Sequence, residues 1–164
     1  MRALARIAFT VATPRDAPEV VALHEAVARH LEHALPGSRR WRVPPQRQLV
    51  ASMQATEIIL ARYGEAFVAM FRLDPAKGFC GVARFTEVES FVYLLEMAVH
   101  PAHQRRGIGR LCLEEAERRA RARGSKAIRL DTNDDPVKAA GFYASCGYRE
   151  VLHHAQTVYF ERLL

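Results

Sequence analysis

An α/β domain built on a mixed, mostly antiparallel sheet is the fold class this sequence predicts. Three observations carry that prediction. Apolar runs with strand character alternate with runs of helical spacing, and no linker, repeat or low-complexity tract interrupts them. The middle of the chain reads strand, loop, helix: apolar Tyr93 to Val99 leads to Gly107-Ile108-Gly109, and a helical run closed by Gly124 follows. The runs Ala66 to Leu73 and Phe79 to Val88, joined by the turn Asp74-Pro75-Ala76-Lys77-Gly78, read as an antiparallel pair.

The elements follow in order. Ile7 to Ala12 reads as a first strand, turned by Thr13-Pro14-Arg15. Asp16-Ala17-Pro18-Glu19 has the form of a capping box, with Asp16 as N-cap and Glu19 reaching back to it. Pro18 is tolerated in a first turn. Val20, Leu23, Val27 and Leu31 fall on one helical face, so a helix runs to about Ala34 and stops at Pro36-Gly37. Ser38-Arg39-Arg40-Trp41-Arg42-Val43 is a basic loop holding the only tryptophan. Pro44-Pro45 opens a second helix through Leu49 and Met53. The short run Ile58-Ile59-Leu60 fits helix or strand, and the reading favours helix to about Arg62, ended by Gly64.

Ala66 to Leu73 is then a strand, Phe79 to Val88 its antiparallel partner, and Phe91 to Val99 the next strand. Gly107 to Arg123 reads as a helix with Ile108, Leu111, Cys112, Ala116 and Ala120 facing inward. Lys126 to Thr132 is a strand with Ile128 and Leu130 alternating, and Pro136 to Cys146 a short helix. Val151 to His154 and Val158 to Leu163 close the chain as two strands.

Length and composition bound the function. The 164 residues suit one domain with a real core, and 49% hydrophobic with 26% charged residues is ordinary globular usage. No apolar run reaches the roughly 20 residues of a membrane span. Met1-Arg2-Ala3-Leu4-Ala5-Arg6 is too brief and too broken by arginine for a secretory signal, so a cytoplasmic site is expected. Cys80, Cys112 and Cys146 form no Cys-x-x-Cys pair and read as buried, reduced thiols. The net charge of +6 favours anionic partners.

The most informative stretch is Gln104-Arg105-Arg106-Gly107-Ile108-Gly109. Two glycines one residue apart let main chain approach a ligand closely. A helix start adds unpaired N–H donors and the positive end of its dipole, so the place favours phosphate. Arg105, Arg106 and Arg110 add side-chain charge. A dinucleotide fingerprint of the Gly-x-Gly-x-x-Gly/Ala kind competes, but its sixth position would be Cys112, and seven residues separate Val99 from Gly107. A phosphate loop of the Gly-Lys-Ser/Thr kind is absent.

The run matches the (Arg/Gln)-x-x-Gly-x-(Gly/Ala) signature and resembles the GCN5-related N-acetyltransferases (GNAT). Leu94-Leu95-Glu96-Met97-Ala98-Val99-His100-Pro101 looks like that family's fourth strand and the turn leaving it. Gly141-Phe142-Tyr143-Ala144-Ser145-Cys146-Gly147-Tyr148 looks like its late aromatic block. The resemblance is dense from about Ala66 to Glu150. It implies a three-layer fold over residues 1–164 as a single acetyltransferase domain. The implied sheet has six or seven twisted strands, splayed between the fourth and fifth, with about four helices.

The resemblance also implies acetyl-coenzyme A as cosubstrate and no metal. Met97, Ala98 and Val99 would lie along the pantetheine arm. Gln104, Arg105, Arg106, Gly107, Ile108, Gly109 and Arg110 would hold the pyrophosphate. Acetyl transfer from sulfur to an amine needs a base, a donor to the carbonyl oxygen and a donor to the departing sulfur. Tyr143 occupies the family's tyrosine position, and a phenol of ordinary pKa ~10 suits a donor that stays protonated until sulfur leaves. Glu96, the one acid in an apolar strand, is the base candidate, with Glu87 and Glu89 behind it. The family's asparagine seven positions before the tyrosine is Pro136 here.

In this family the acceptor is chosen by the first two helices, their loop and the last hairpin. Trp41 and Arg42, with Arg39 and Arg40, suggest an acceptor carrying an anion beside its amine. A small-molecule or peptide amine is the expected partner, and a homodimer is compatible because dimers are common in the family. His24-Glu25 lacks the second histidine of a zinc motif, and His30 and His33 have no third partner. Arg118, Arg119, Arg121 and Arg123 alternate with Glu114, Glu115 and Glu117, which reads as a paired solvated face and not as a nucleic-acid surface. A non-catalytic acetyl-coenzyme A sensor would keep the glycine loop but need neither Glu96 nor Tyr143.

Overall fold

A computed structural model describes residues 7–36, 41–75, 84–134 and 139–164. Within them are seven strands and four α-helices, with β4 parallel to β5 and the other paired strands antiparallel where their register is defined. The mixed α/β expectation holds. The chain divides into two compact units: residues up to Leu73 with Glu96–Leu113, and Asp74–Leu95 with Glu114–Leu164.

The first unit opens on β1 (Ile7–Val11), followed by α1 (Ala17–Ala34) and α2 (Gln46–Ala55). Strands β2 (Glu57–Tyr63) and β3 (Ala66–Asp74) pair antiparallel, with β1 on the far edge of β2. The end of β4 (Phe91–Val99) continues the order, and His100 N–H donates to the Val68 carbonyl at 2.8 Å just beyond it. One core holds the unit. Val20, Leu23 and Val27 of α1 and Leu49 of α2 cluster with Ile58 and Leu60 of β2, Met70 of β3 and Ala98 of β4. Burying side chains of this size stabilises the fold by roughly 1.5–3 kcal/mol each before entropy is counted.

The structure corrects two expectations here. Ile58-Ile59-Leu60 is strand, not the tail of a second helix, which ends at Ala55. Ile58, Ile59, Leu60 and Ala61 are all at most 1% exposed, so β2 has no polar face and shows no alternation. A strand with both faces buried reads as a plain apolar run, and the β-branched isoleucines favour it. The capping box also lies three residues earlier than expected. Asp16 accepts from Thr13 N–H and Oγ1 at 2.8 Å each, around a 3-10 turn over Pro14–Asp16, while Glu19 pairs instead with Arg62.

The second unit holds the start of β4, the end of α3 (Ile108–Ala122), β5 (Ala127–Asn133), α4 (Ala139–Ser145), β6 (Arg149–His154) and β7 (Thr157–Leu163). Its strand order is β4-β5-β7-β6. The parallel register of β4 with β5 covers Phe91, Val92 and Tyr93 only. Tyr93 Oη donates to Asp131 at 2.6 Å across that pair, and burial pushes the phenol far above its usual range. The Arg129 guanidinium lies over Phe91 at 4.0 Å and over Phe85 at 4.6 Å from the ring centroids, and donates to the Thr86 carbonyl at 2.6 Å. This is a cation–π clamp on β5.

A strand over 79–88 was expected. Residues 76–83 lie outside the described residues, and residues 84–88 form no strand. Thr86 N–H is held instead by both carboxylate oxygens of Glu161, 2.8 Å each, and Glu161 is 1% exposed. On α3, Glu115 accepts from Arg118 and Arg119 at 2.7 Å, and Glu117 from Arg121 at 3.4 Å, so these acids and arginines answer one another as the spacing predicts. Among the described residues, no helix is long and apolar enough to cross a membrane.

Candidate functional site

Strand β4 changes character at Glu96. Its pairing with β5 stops at Tyr93, and three residues later Glu96 takes φ of +51°. A left-handed residue cannot continue a regular ladder. The kink costs about 1 kcal/mol for a residue with a Cβ. It re-aims the carboxylate, whose Oε1 accepts from Arg72 Nη2 of β3 at 3.3 Å. The Glu96 side chain keeps 37% of its surface in solvent. Met97 and Val99 follow half-buried, and Ala98 sinks into the first core.

The glycine run begins after a 3-10 turn, Pro101–His103, whose His100 Nδ1 accepts from Ala102 N–H at 3.2 Å. Gln104 Nε2 donates back to the Val99 carbonyl at 3.1 Å, which ties the loop to the strand end. Arg105 has φ of +60° and Gly107 φ of +82°. Leu111 N–H reaches the Gly107 carbonyl at 3.2 Å as the helical ladder begins. The first N–H groups of α3 therefore have no partner within their own helix. Arg105, Arg106, Gly107 and Arg110 are exposed, Gly109 is half-buried, and Ile108 anchors the turn at 4% exposure. Partial burial, with the charges of Arg106 and His100 adding to it, holds His103 below the usual imidazole range. The loop offers exposed main chain, a helix start and several cations, a combination that fits a diphosphate.

Trp41 packs against the first core and its indole Nε1–H donates to His24 Nδ1 at 3.0 Å. The rings tilt at 5.5 Å between centroids. Arg42 is exposed on the same loop, and Gly37–Arg40 lie outside the described residues. His24 is 1% exposed. Burial first, and then the charge of Arg72, lowers its pKa from 6.5 to about 4.

A group whose pKa is depressed in the fold binds fewer protons there than in the unfolded chain. His24 therefore contributes full stability above about pH 6.5 and loses it as pH falls towards 4. The loss is on the order of 2 kcal/mol by pH 5, from 1.36 kcal/mol per pH unit below the unfolded value. Urea unfolding of the native protein and His24→Gln at pH 7.5 and pH 5 checks this. The native protein should weaken by about that amount more than the variant.

Tyr143 belongs to the second unit. It lies on α4, 8% exposed, its ring packed on Phe142, Tyr148 and Phe160 at centroid distances of 5.3, 6.1 and 5.9 Å. Helix α4 ends where Tyr148 N–H reaches the Tyr143 carbonyl at 3.1 Å and Gly147 takes φ of +85°. At φ of +85° an L side chain at Gly147 would be strained, so the turn behind the tyrosine favours glycine. Pro136 lies outside the described residues.

Glu96, Met97, Ala98, Val99 and the loop Gln104–Arg110 thus stand in one unit with Trp41. Arg72 of that neighbourhood carries no reading from the sequence, and His24, which falls among the polar residues of the specificity region and outside any zinc motif, turns out to be buried against Trp41. Their shared signal is a polar side chain inside an otherwise apolar periodic face.

A left-handed loop opening a helix stands just downstream of a kinked strand that carries an acid. The chain belongs to the acetyltransferase (GNAT) family, whose model matches residues 21–148. A search of curated proteins returns no match.

Solved structures share the fold. The PaiA N-acetyltransferase of Thermoplasma acidophilum, in complex with coenzyme A, superposes with a TM-score of 0.77 at 12% identity, covering 96% of this chain and 99% of that one. YncA of Salmonella typhimurium, with its cofactor acetyl-CoA, gives 0.69 at 15% identity, covering 97% and 94%. The ribosomal-protein-alanine N-acetyltransferase of Brucella melitensis gives 0.71 at 16%, covering 96% and 99%.

Proposed function

We propose that the chain transfers the acetyl group of acetyl-coenzyme A to a primary amine of a small molecule or peptide, by direct attack in a ternary complex. The observation that carries this reading is the left-handed loop through Arg105 and Gly107 at the start of α3. Family membership supports acetyl transfer. The coenzyme A of the PaiA structure and the acetyl-CoA of the YncA structure support the cosubstrate. The names of the PaiA and Brucella enzymes support transfer to nitrogen.

Acetyl-coenzyme A supplies a thioester carbonyl for the amine to attack. The residues divide the rest of the work. N–H groups from Arg105 to Arg110 grip the pyrophosphate, with their donors and the helix dipole aligned on it. Main chain at Met97, Ala98 and Val99 binds the pantetheine arm, and an N–H there donates to the carbonyl oxygen. Glu96 takes the proton the amine must lose, directly or through water. Tyr143 gives its hydroxyl proton to sulfur as the C–S bond breaks and the C–N bond forms. One acetyltransferase domain over 1–164, in the cytoplasm, goes with this reading.

A thiol-release assay across amino acids, polyamines, aminoglycosides and peptides tests it. Thiol release with at least one amine, and none without, is the expected result. Coenzyme A bound in calorimetry with no turnover on any amine would leave a sensor module instead. Glu96→Gln should lower turnover on the best amine about 100-fold at pH 7, the low end for a lost general base. That deficit should shrink as pH rises and more amine is neutral; a pH-independent deficit would remove Glu96 as base.

A further inference from the structure

Two buried donors of the first unit lack an acceptor among the described residues. His24 Nδ1 is occupied by the Trp41 indole N–H, which can only donate. The neutral imidazole therefore carries its proton on Nε2, and that N–H is buried without a partner. Arg72 repeats the pattern. Its Nη2 reaches Glu96 in one contact of 3.3 Å, while its Nε–H is buried and unpaired. A buried hydrogen bond left unmade costs stability, so a partner that completed it would be favoured. Guanidinium and carboxylate frequently meet through two parallel bonds, so on the Arg72 side this pair is half-made. Arg72 and Glu96 side chains are 19% and 37% exposed, and both can be reached from solvent.

Building on the acetyl-transfer reading, we propose that Arg72 and Glu96 form a split receptor for an acceptor with a carboxylate beside its amine, such as a free amino acid. In the described conformation the Arg72–Glu96 pair is its own stand-in ligand. The incoming carboxylate takes the guanidinium, including its Nε–H, and Glu96 is released to the ammonium group it will deprotonate. Neither orphaned N–H is open to water, so Arg72 must turn off Glu96 for the carboxylate to enter. Polyamines and aminoglycosides bring only positive charge and meet Arg72 as a like charge.

The test is calorimetry on coenzyme A-saturated protein with L-amino acids, each paired with its own carboxamide. At least one acid should bind tenfold or more tightly than its amide. The preference should vanish in Arg72→Met and return in part in Arg72→Lys, with circular dichroism unchanged. Equal binding of acid and amide by the native protein, no acid binding at millimolar concentration, or a preference intact in folded Arg72→Met would each overturn the receptor. Turnover separates the two readings. An acid that binds with Arg72 dependence but is never acetylated leaves the receptor standing and removes the transferase. Amides and polyamines acetylated as fast as acids leave the transferase standing and remove the receptor.

Discussion

Gly107→Val should weaken coenzyme A binding by at least about 100-fold, an effect of ~3 kcal/mol. Two costs add. Gly107 sits at φ of +82°, where a β-branched residue is strained by about 1–3 kcal/mol. Relaxing that strain turns the N–H groups away from the phosphate, and each charge-assisted bond lost is worth about 1.5–3 kcal/mol. Gly107 is exposed, so the core should survive and the melting temperature should fall by only a few degrees. Gly107→Ala should fall between, because a single methyl is less strained there than a branched chain. Calorimetric titration with coenzyme A reads the result, and an unchanged Kd for the valine variant would remove the cradle.

Tyr143→Phe should lower turnover about 100-fold, the low end for a lost proton donor, while coenzyme A affinity stays within about twofold, well under the 1.4 kcal/mol of a tenfold change. The ring contacts with Phe142, Tyr148 and Phe160 are made by carbon and survive the change. Loss of rate without loss of binding is the mark of an interaction made only in the transition state. Tyr148→Phe is the natural control. Its hydroxyl is buried with no hydrogen-bond partner among the described residues, and burial pushes its pKa well above the ordinary phenol range. Steady-state kinetics of the two variants decide the assignment: native turnover in Tyr143→Phe would strip the residue of its role.

The parts of this molecule that sequence made readable are those whose constraints are local. The glycine run is one, because a left-handed φ and a helix start are set within a few residues. Strands β3, β4, β5 and β7 are others, bounded by turns and rich in branched and aromatic residues. What stayed hidden depends on distant partners. Ile58 to Leu60 became strand because β1 and β3 flank β2 on both edges, a fact no apolar run can announce. Asp16 and Glu19 both fit a capping box; Arg62, more than forty residues on, meets both acids, and Asp16 also holds Thr13, so the box falls at Thr13. Residues 84–88 resemble strand, but Thr86 in their middle is held by Glu161, more than seventy residues on. Arg72 acquires meaning only once β3 lies beside the end of β4.

The left-handed backbone at Glu96 has a consequence for how this chain can change over time. Every residue but glycine strains there, so drift would favour glycine for folding alone. A carboxylate retained at that angle sets two selective pressures against each other at a single codon: the firmer scaffold lies one substitution away and would give up the very side chain that the bend presents. On the proposed role of Glu96, a relative that gave up the chemistry should have glycine here before its core is disturbed.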